Sequence, residues 1–396
     1  MSSENGGEQA DRGEWAGIAP EAARTVAVRA LTAHGVDDDS ATVVADALVE
    51  TSMRGVATHG LRLLPRYLDD LARGIANAAP RIRVVRQTGA TALVDADAAL
   101  GVVAGIAGVR EAVRRAAEHG VATVVVRNSN HFGAASVYSR AMAAAGMVGW
   151  AMTSAASRVA PCHGRTPLFG TNPISVAAGT DGEEFALDIA TSQVCQGEIQ
   201  ERGRLGLPLE PGWATDARGH GTHDASAAVA LSPLGASGVG HKGQGHEGQG
   251  HEGQGHKGQS HKGQGHKGQG LAMAVTLMTA VLADAPLDWE LDHIGQSPDG
   301  RGRRVAHFLL CLDPAAFAGP DPFRRRLADL VATTRRAPAA GADPVLSPGD
   351  PERLRAGEAA RYGIPLDPDT ARALRALALQ HGVDAPVSAA DHRRVP

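Results

Sequence analysis

The chain is short of several things, and each shortage excludes something. Aromatic residues make up 3% of its 396 residues, so a large core has to be assembled from Ala, Val and Leu rather than from rings. There are three cysteines, Cys162, Cys195 and Cys311. They lie far apart with no C-x-x-C pair, which indicates neither a disulfide framework nor a zinc knuckle and suits a reducing cytoplasm. No apolar run reaches the roughly 18 residues that a spanning helix needs, so nothing is expected to cross a membrane. The formal charge is −4, without a concentrated basic cluster, which argues against general nucleic-acid binding. No G-x-G-x-x-G joins a strand to a helix in the first half, and no Walker A sequence occurs, so a Rossmann or P-loop domain is not indicated.

What is present is ordinary in bulk. Hydrophobic residues are 43% and charged residues 21%, as in a soluble globular protein with room for two or three domains. The opening MSSENGGEQADRGEW is polar and acidic and is expected to be a disordered tail over 1–15 rather than a signal peptide. PEAARTVAVRALTAHG, DDDSATVVADALVETSMRG and LRLLPRYLDDLARG read as helices with Pro20, capping Asp/Ser and closing glycines. RIRVVRQTGATALVDAD reads as two strands around a glycine turn. Beyond Asp97 helices and strands alternate, with VATVVVRN expected to be buried on both faces. LAMAVTLMTAVLADA, apolar all round, predicts a buried helix. RVAHFLLCLDP predicts a strand, DPFRRRLADLVATTRR and DPDTARALRALALQHG predict amphipathic helices, and APAAGADPVLSPGDPE a loop between them. The pattern is α/β with an added helical part.

From Gly240 a pentapeptide, His-(Lys/Glu)-Gly-Gln-(Gly/Ser), runs in tandem into that apolar helix. Glycines penalise helix by about 1 kcal/mol each, and no apolar side chain is available to bury. In the low-complexity insertion at 241–270, the units before the last are therefore expected to form a flexible surface loop. Its histidines could take up nickel or zinc opportunistically, but no resident metal site is assigned.

Polar residues collect at the ends of predicted elements. RGVATHG places Thr58 and His59 between helices, and RNSNHFG places Asn128, Asn130 and His131 just past a strand. LFGTNPIS makes a Gly170-Thr171-Asn172-Pro173 turn, and LDIATS carries Asp188, Ala190, Thr191 and Ser192 out of another strand. Such loops are where α/β proteins place their chemistry. Singly each has a bland reading: a lone histidine is more often structural, Asn-Pro a turn former, and Asp188 an ordinary cap.

Taken in order, RGVATHGLRLLPRYLDDLARG, NSNHFGAASVYSRAMAAAGMVGW, PLFGTNPISVAAG, FALDIATS, PGWATDARG, GHKGQGLAMAV, HFLLCLDPAAF and VLSPGDPE resemble the malate/L-lactate dehydrogenase-like oxidoreductases. The resemblance covers roughly residues 20 to 385. It implies a non-Rossmann NAD(P)-binding fold and hydride transfer between NAD or NADP and a small α-keto, α-hydroxy or cyclic imino acid. It also implies a likeness to homodimers. A helical domain from 16–80 and 335–396 would stand beside an α/β cofactor and catalytic region at 81–334. By motif, His59 with Thr58, His131 and Asp188 are the implied catalytic group. Thr171, Asn172, Asp188, Ala190, Thr191, Lys267, Gly349 and Asp350 are the implied cofactor contacts, and Arg62 and Asn130 the implied substrate contacts. An imidazole titrating near neutrality suits the proton that accompanies the hydride.

Three departures stand out. Leu63 occupies the place of a common family arginine, with Arg62 beside it, and Gly197-Glu198 replaces Gly-Lys. The third is the repeat, where one family unit has become six. The last, His266-Lys267-Gly268-Gln269-Gly270, keeps the spacing to Leu271 and is assigned the family role, an anion site at a helix N-terminus. The competing reading is a metal-buffering or scaffold protein on a decayed dehydrogenase fold.

Overall fold

The computed structural model describes residues 16–179, 184–236, 265–384 and 387–389. The predicted tail at 1–15 and all but the last repeat unit lie outside the described residues. The chain divides into two units, one formed by 1–73 with 346–396 and the other by 74–345. The sequence pattern puts these borders near 80/81 and 334/335.

The first unit opens with a short strand, Ala16–Ile18 (β1), and helices Pro20–Ala33 (α1) and Asp38–Met53 (α2). Pro20 starts α1, where its missing N–H costs nothing. The Asp37 carboxylate caps α2 by accepting the Ser40 N–H at 2.9 Å. Two 3₁₀ turns, Ala57–His59 and Leu61–Leu63, lead into helix Leu64–Ala72 (α3), whose Leu64, Tyr67, Leu68 and Leu71 are buried.

The second unit is built on a sheet. Its elements are strands Arg83–Thr88 (β2) and Thr91–Asp95 (β3), helix Gly101–His119 (α4), strand Val121–Ser129 (β4), helix Ser136–Ala144 (α5), and strands Val148–Thr153 (β5), Ile174–Gly179 (β6) and Glu184–Ile189 (β7). Helix Gln196–Arg204 (α6) and the two-residue strands Ala214–Thr215 (β8), Gly221–Thr222 (β9) and Ala230–Leu231 (β10) follow. Helix His266–Thr276 (α7), strand Val305–Leu312 (β11) and helix Pro320–Arg335 (α8) complete it. The seven-stranded sheet has the order β2-β3-β4-β11-β5-β6-β7, and only β3 and β4 run parallel. Such a sheet has no doubly wound crossover, in keeping with the missing glycine fingerprint.

Side chains of β4 and β11 alternate between two cores. Val124, Val126, Leu309 and Cys311 meet α4 and α5 through Ala104, Val109, Ala112, Ala116, Tyr138 and Met142. Val125, Ala306 and Phe308 turn to the other face, against Ala283 and Met278. The expectation for VATVVVRN, buried on both sides, corresponds to this arrangement.

Two sequence expectations are corrected. The helix following the repeats is not buried all round. Ala272, Val275, Thr276, Thr279 and Ala280 face inward, while Met273, Leu277 and Val281 are 51%, 52% and 53% exposed. Apolarity without a moment could not say that only one face meets the sheet. The helix also starts inside the last pentad and passes into a π-helical segment at Leu277–Val281. The predicted loop APAAGADPVLSPGDPE ends earlier than expected, because Asp350–Tyr362 is a helix (α9) that begins in it. Strand Ile364–Leu366 (β12), helix Pro368–Gln380 (α10) and strand Val387–Ala389 (β13) complete the first unit, where β12-β1-β13 form a small antiparallel sheet.

Candidate active site

In the first unit the 3₁₀ turn after α2 presents two adjacent polar side chains. Thr58 Oγ1 lies 2.9 Å from His59 Nδ1. Both are partly buried, and burial holds the His59 imidazole below its ordinary value. Arg62 stands exposed on the next turn. At the start of α9, Gly349 takes a left-handed φ of 95°, and the buried Asp350 carboxylate accepts the Ser347 N–H at 2.8 Å and an Arg353 N–H at 3.1 Å. The Asp350 side chain is thus committed to closing its own turn.

In the second unit the end of β4 is pinned from several sides. The buried Asn130 amide donates to the carbonyls of Ala98 at 2.7 Å and Ala99 at 3.0 Å, and its oxygen accepts the Arg303 N–H at 3.2 Å. Phe132 stacks on Tyr138, whose hydroxyl donates to the Phe132 carbonyl. His131, between these two clamps, has Nδ1 3.3 Å from the Gly133 N–H. Its segment cannot swing freely.

Beneath it lies a histidine that sequence reasoning did not single out. His307 on β11 is fully buried, with Nδ1 2.8 Å from Thr153 Oγ1 and Nε2 2.7 Å from Ser129 Oγ, and it stacks on Phe132 at 4.2 Å. Burial first, and the nearby His131 second, push it down to about 3. A neutral imidazole has one donor and one acceptor, which two hydroxyls can match. Its signal in the sequence was only a polar residue inside an apolar strand.

Asp188 leaves β7 exposed and accepts the Ser136 N–H at the start of α5, at 2.8 Å. Nearby in sequence, Ala190 is partly buried, and Thr191 is buried and donates both N–H and Oγ1 to the Thr171 carbonyl, at 2.8 and 3.1 Å. Asn172 is fully buried in a left-handed conformation, φ 36°. Its amide donates to the Ala272 carbonyl, Thr276 Oγ1 and Asp288 Oδ2 at 3.2, 3.1 and 2.7 Å, and its oxygen accepts the Ala155 N–H at 3.2 Å. The Asn172 side chain therefore ties the turn to α7. Asp288 was missed as one acid among several in DAPLDWELD; Oδ2 also accepts from Gly170 N–H and Thr276 Oγ1, each at 3.0 Å, and burial raises its pKa.

The last repeat unit is the first turn of α7. A Cβ on Gly265 would come 2.7 Å from the Pro233 carbonyl oxygen, and one on Gly268 would come 2.3 Å from the Leu234 nitrogen. The Gly268 N–H donates to the Leu234 carbonyl at 3.2 Å, and Gln269 Oε1 accepts the Cys162 N–H at 2.7 Å. Lys267 is exposed between them. The structure thus brings Thr171, Asn172, Thr191 and the start of α7 into one hydrogen-bonded assembly, and keeps Thr58 with His59 in the other unit.

The sheet is mainly antiparallel, with imidazoles and hydroxyls in the loops at its strand ends, and is not the doubly wound parallel sheet of a Rossmann domain; the comparisons with known proteins give its class, the NAD(P)-dependent dehydrogenases of small acids. The chain belongs to the malate/L-lactate dehydrogenase family, whose model matches residues 18–375. It is 32% identical over 307 residues to a malate dehydrogenase of Pyrococcus horikoshii, covering 77% of this chain and 78% of that one. It is 33% identical over 299 residues to a (2R)-3-sulfolactate dehydrogenase (NADP(+)) of Chromohalobacter salexigens, covering 75% and 80%. The solved malate dehydrogenase structure from Pyrococcus horikoshii superimposes with a TM-score of 0.81 at 28% identity, covering 94% of this chain and 97% of that one.

Proposed function

We propose that this chain is a cytoplasmic, homodimeric NAD(P)-dependent reductase and dehydrogenase of a small α-keto or α-hydroxy acid of the malate, lactate or sulfolactate type, with cyclic imino acids as the further substrate class. The observation that carries the reading is the Thr58–His59 pair: a partly buried imidazole, its pKa lowered by burial, with a hydroxyl at 2.9 Å from Nδ1. In the oxidising direction neutral His59 takes the hydroxyl proton of the substrate. In the reducing direction the imidazolium returns it to the developing alkoxide. The bound nicotinamide supplies or accepts the hydride.

The other residues have supporting tasks in this reading. Lys267 and the N–H groups opening α7 offer positive potential to cofactor phosphates. Thr171, Ala190 and Thr191 would hold the cofactor with the Asp188 carboxylate. Asn172 would contribute through the turn it fixes, since its amide is bonded internally. Gly349 and Asp350 shape the turn opening α9. Arg62 is the exposed cation for the substrate carboxylate, and Asn130 positions His131, a second acid–base group. The exposed apolar row Met273, Leu277 and Val281 is an area that a second copy would cover.

Fluorescence titration with NADH and NADPH, followed by a screen of keto and imino acids with each, tests the reading. Saturable binding and turnover of at least one acid are expected. A folded protein that quenches neither nucleotide's fluorescence would overturn it.

A further inference from the structure

We propose that Arg158 is an anion-binding residue of this site, gripping either the carboxylate of the acid substrate or a phosphate of the dinucleotide; this deepens the functional reading above and rests on it. Arg158 lies in the connection between β5 and β6, and its backbone is held from two sides. Its N–H donates to the Phe169 carbonyl at 2.7 Å, and its carbonyl accepts the Leu231 N–H at 2.8 Å. The same stretch runs along the Gly170–Asn172 turn: the Ala155 N–H reaches Asn172 Oδ1 at 3.2 Å and the Ser157 N–H reaches the Asp288 carbonyl at 3.1 Å. The position of this arginine is therefore set by the same framework that sets the turn.

Its side chain differs from three other shielded arginines, which face carboxylates. Arg115 faces Glu111 at 2.7 Å, Arg127 faces Asp95 at 3.4 Å, and Arg202 faces Glu198 and Glu210 at 3.5 and 3.3 Å. The half-buried Arg158 guanidinium has neither an ion pair nor a hydrogen bond among the described residues. Burial holds its pKa down, and burial first and the Arg158 charge second lower that of His293, against the opposite pull of Asp292. A desolvated cation without a counter-charge is costly, and a planar guanidinium matches carboxylate and phosphate in bidentate geometry. An anion brought by a ligand completes it. The bland reading, a stem that covers apolar surface, makes a different prediction for charge removal.

Arg158→Met keeps the stem and removes the charge, while Arg158→Lys keeps the charge and loses the fork. The measurements are KM for the acid, Kd for NADH and NADPH by fluorescence, kcat, and the melting temperature as a control. About 10- to 100-fold weakening of one affinity is expected in Arg158→Met, the range for a hydrogen bond to a charged group. kcat should stay within a few-fold, with partial recovery in Arg158→Lys. A loss confined to the acid identifies the carboxylate; a loss confined to the nucleotide identifies the phosphate. Thermal-shift titrations with sodium malonate and with pyrophosphate run beside them. Wild-type protein that turns over no acid, yet is stabilised by either anion only when Arg158 is present, would sink the oxidoreductase reading and keep the anion site. Affinities and anion-induced shifts of Arg158→Met all within about two-fold of wild type overturn the proposal.

Discussion

The Asn172 amide donates to Asp288 Oδ2 across 2.7 Å, joining residues 116 positions apart and holding the Gly170–Asn172 turn to α7. Oδ2 also takes the Gly170 N–H and the Thr276 hydroxyl, while Oδ1 is buried without a hydrogen-bond partner among the described residues. One oxygen does all the accepting. Asp288→Asn can keep that acceptor and remove the buried charge, so its stability should stay within about 1 kcal/mol of wild type at neutral pH. Asp288→Ala removes the acceptor shared by three donors; the Asn172 amide and the Thr276 hydroxyl keep the Ala272 carbonyl, but the Gly170 N–H loses its partner, and about 1–3 kcal/mol should be lost, measured by denaturant unfolding. Equal losses in the two variants would refute this account.

His59→Ala should lower kcat by about 10²–10⁴-fold, the usual contribution of general acid–base catalysis, with cofactor affinity little changed. Because burial lowers the His59 pKa, oxidation should keep its active base form at pH values where an ordinary imidazole is already protonated. The acidic limb of kcat/KM for alcohol oxidation should therefore lie below about 6.5. Near wild-type turnover in His59→Ala would move the proton to His131.

His307 gives a stability prediction with a definite sign. Its folded value of about 3 lies below the ordinary imidazole value of about 6.5, so the unfolded chain binds the extra proton first. The stability this imparts is complete above about 6.5 and is lost as pH falls from there towards 3, at about 1.4 kcal/mol per pH unit for a single group. His307→Asn should flatten that acid slope while lowering stability at neutral pH, because one hydroxyl of the Ser129–Thr153 pair loses its partner. An unchanged slope in the variant would assign the acid sensitivity to other groups.

Asp188 separates an orienting role from a capping one. Its carboxylate accepts the Ser136 N–H at the start of α5. A cap alone predicts that Asp188→Asn costs at most about 0.5–2 kcal/mol and leaves the pH profile in place. We expect turnover to fall and the profile to shift as well, since the resemblance puts this carboxylate beside the reacting groups. A pH–rate profile that superimposes on wild type would leave only the cap.

Where local chemistry decides the outcome, the sequence was readable. Pro20, the Asp37 cap and the Gly turn of the β2–β3 hairpin are set by backbone sterics and neighbouring groups, and VATVVVRN announces a strand buried on both faces. The site motifs were readable through resemblance, as runs of residues in order. Long-range pairing was not. Nothing local says that Asp288 will meet Asn172, that His307 will lie under Phe132, or that Arg158 will face no carboxylate among the described residues. Nor can composition tell which face of an all-apolar helix stays outside, as Met273, Leu277 and Val281 do. These facts depend on which distant segment arrives, and hydrophobic periodicity carries no such information.

The repeat offers the last test. The described chain stops at Ala236 and resumes at Gly265, and both ends sit against one residue: the Ala236 N–H donates to the Pro233 carbonyl at 3.1 Å, and Gly265 packs on the same carbonyl. Deleting Gly240 to Gln264 leaves three residues between Ala236 and Gly265. Extended chain spans about 3.3–3.6 Å per residue, so this linker has ample reach between two points that share a neighbour. The deletion should fold, bind nucleotide and turn over as the full chain does. From 28 linking residues to three is about three doublings, so at roughly 0.6 kcal/mol per doubling the shorter loop should change stability by no more than about 2 kcal/mol, in the favourable direction. In the shortened protein Lys267→Ala should weaken cofactor binding, whereas Lys242→Ala in the full-length chain should have no effect. Gly268→Ala should destabilise either form, because its new Cβ has no room beside the Leu234 backbone. A shortened protein that is unfolded or inactive, with Lys242→Ala harmful in the full chain, would mean that the first unit does the work and that the copies were added on its helix side.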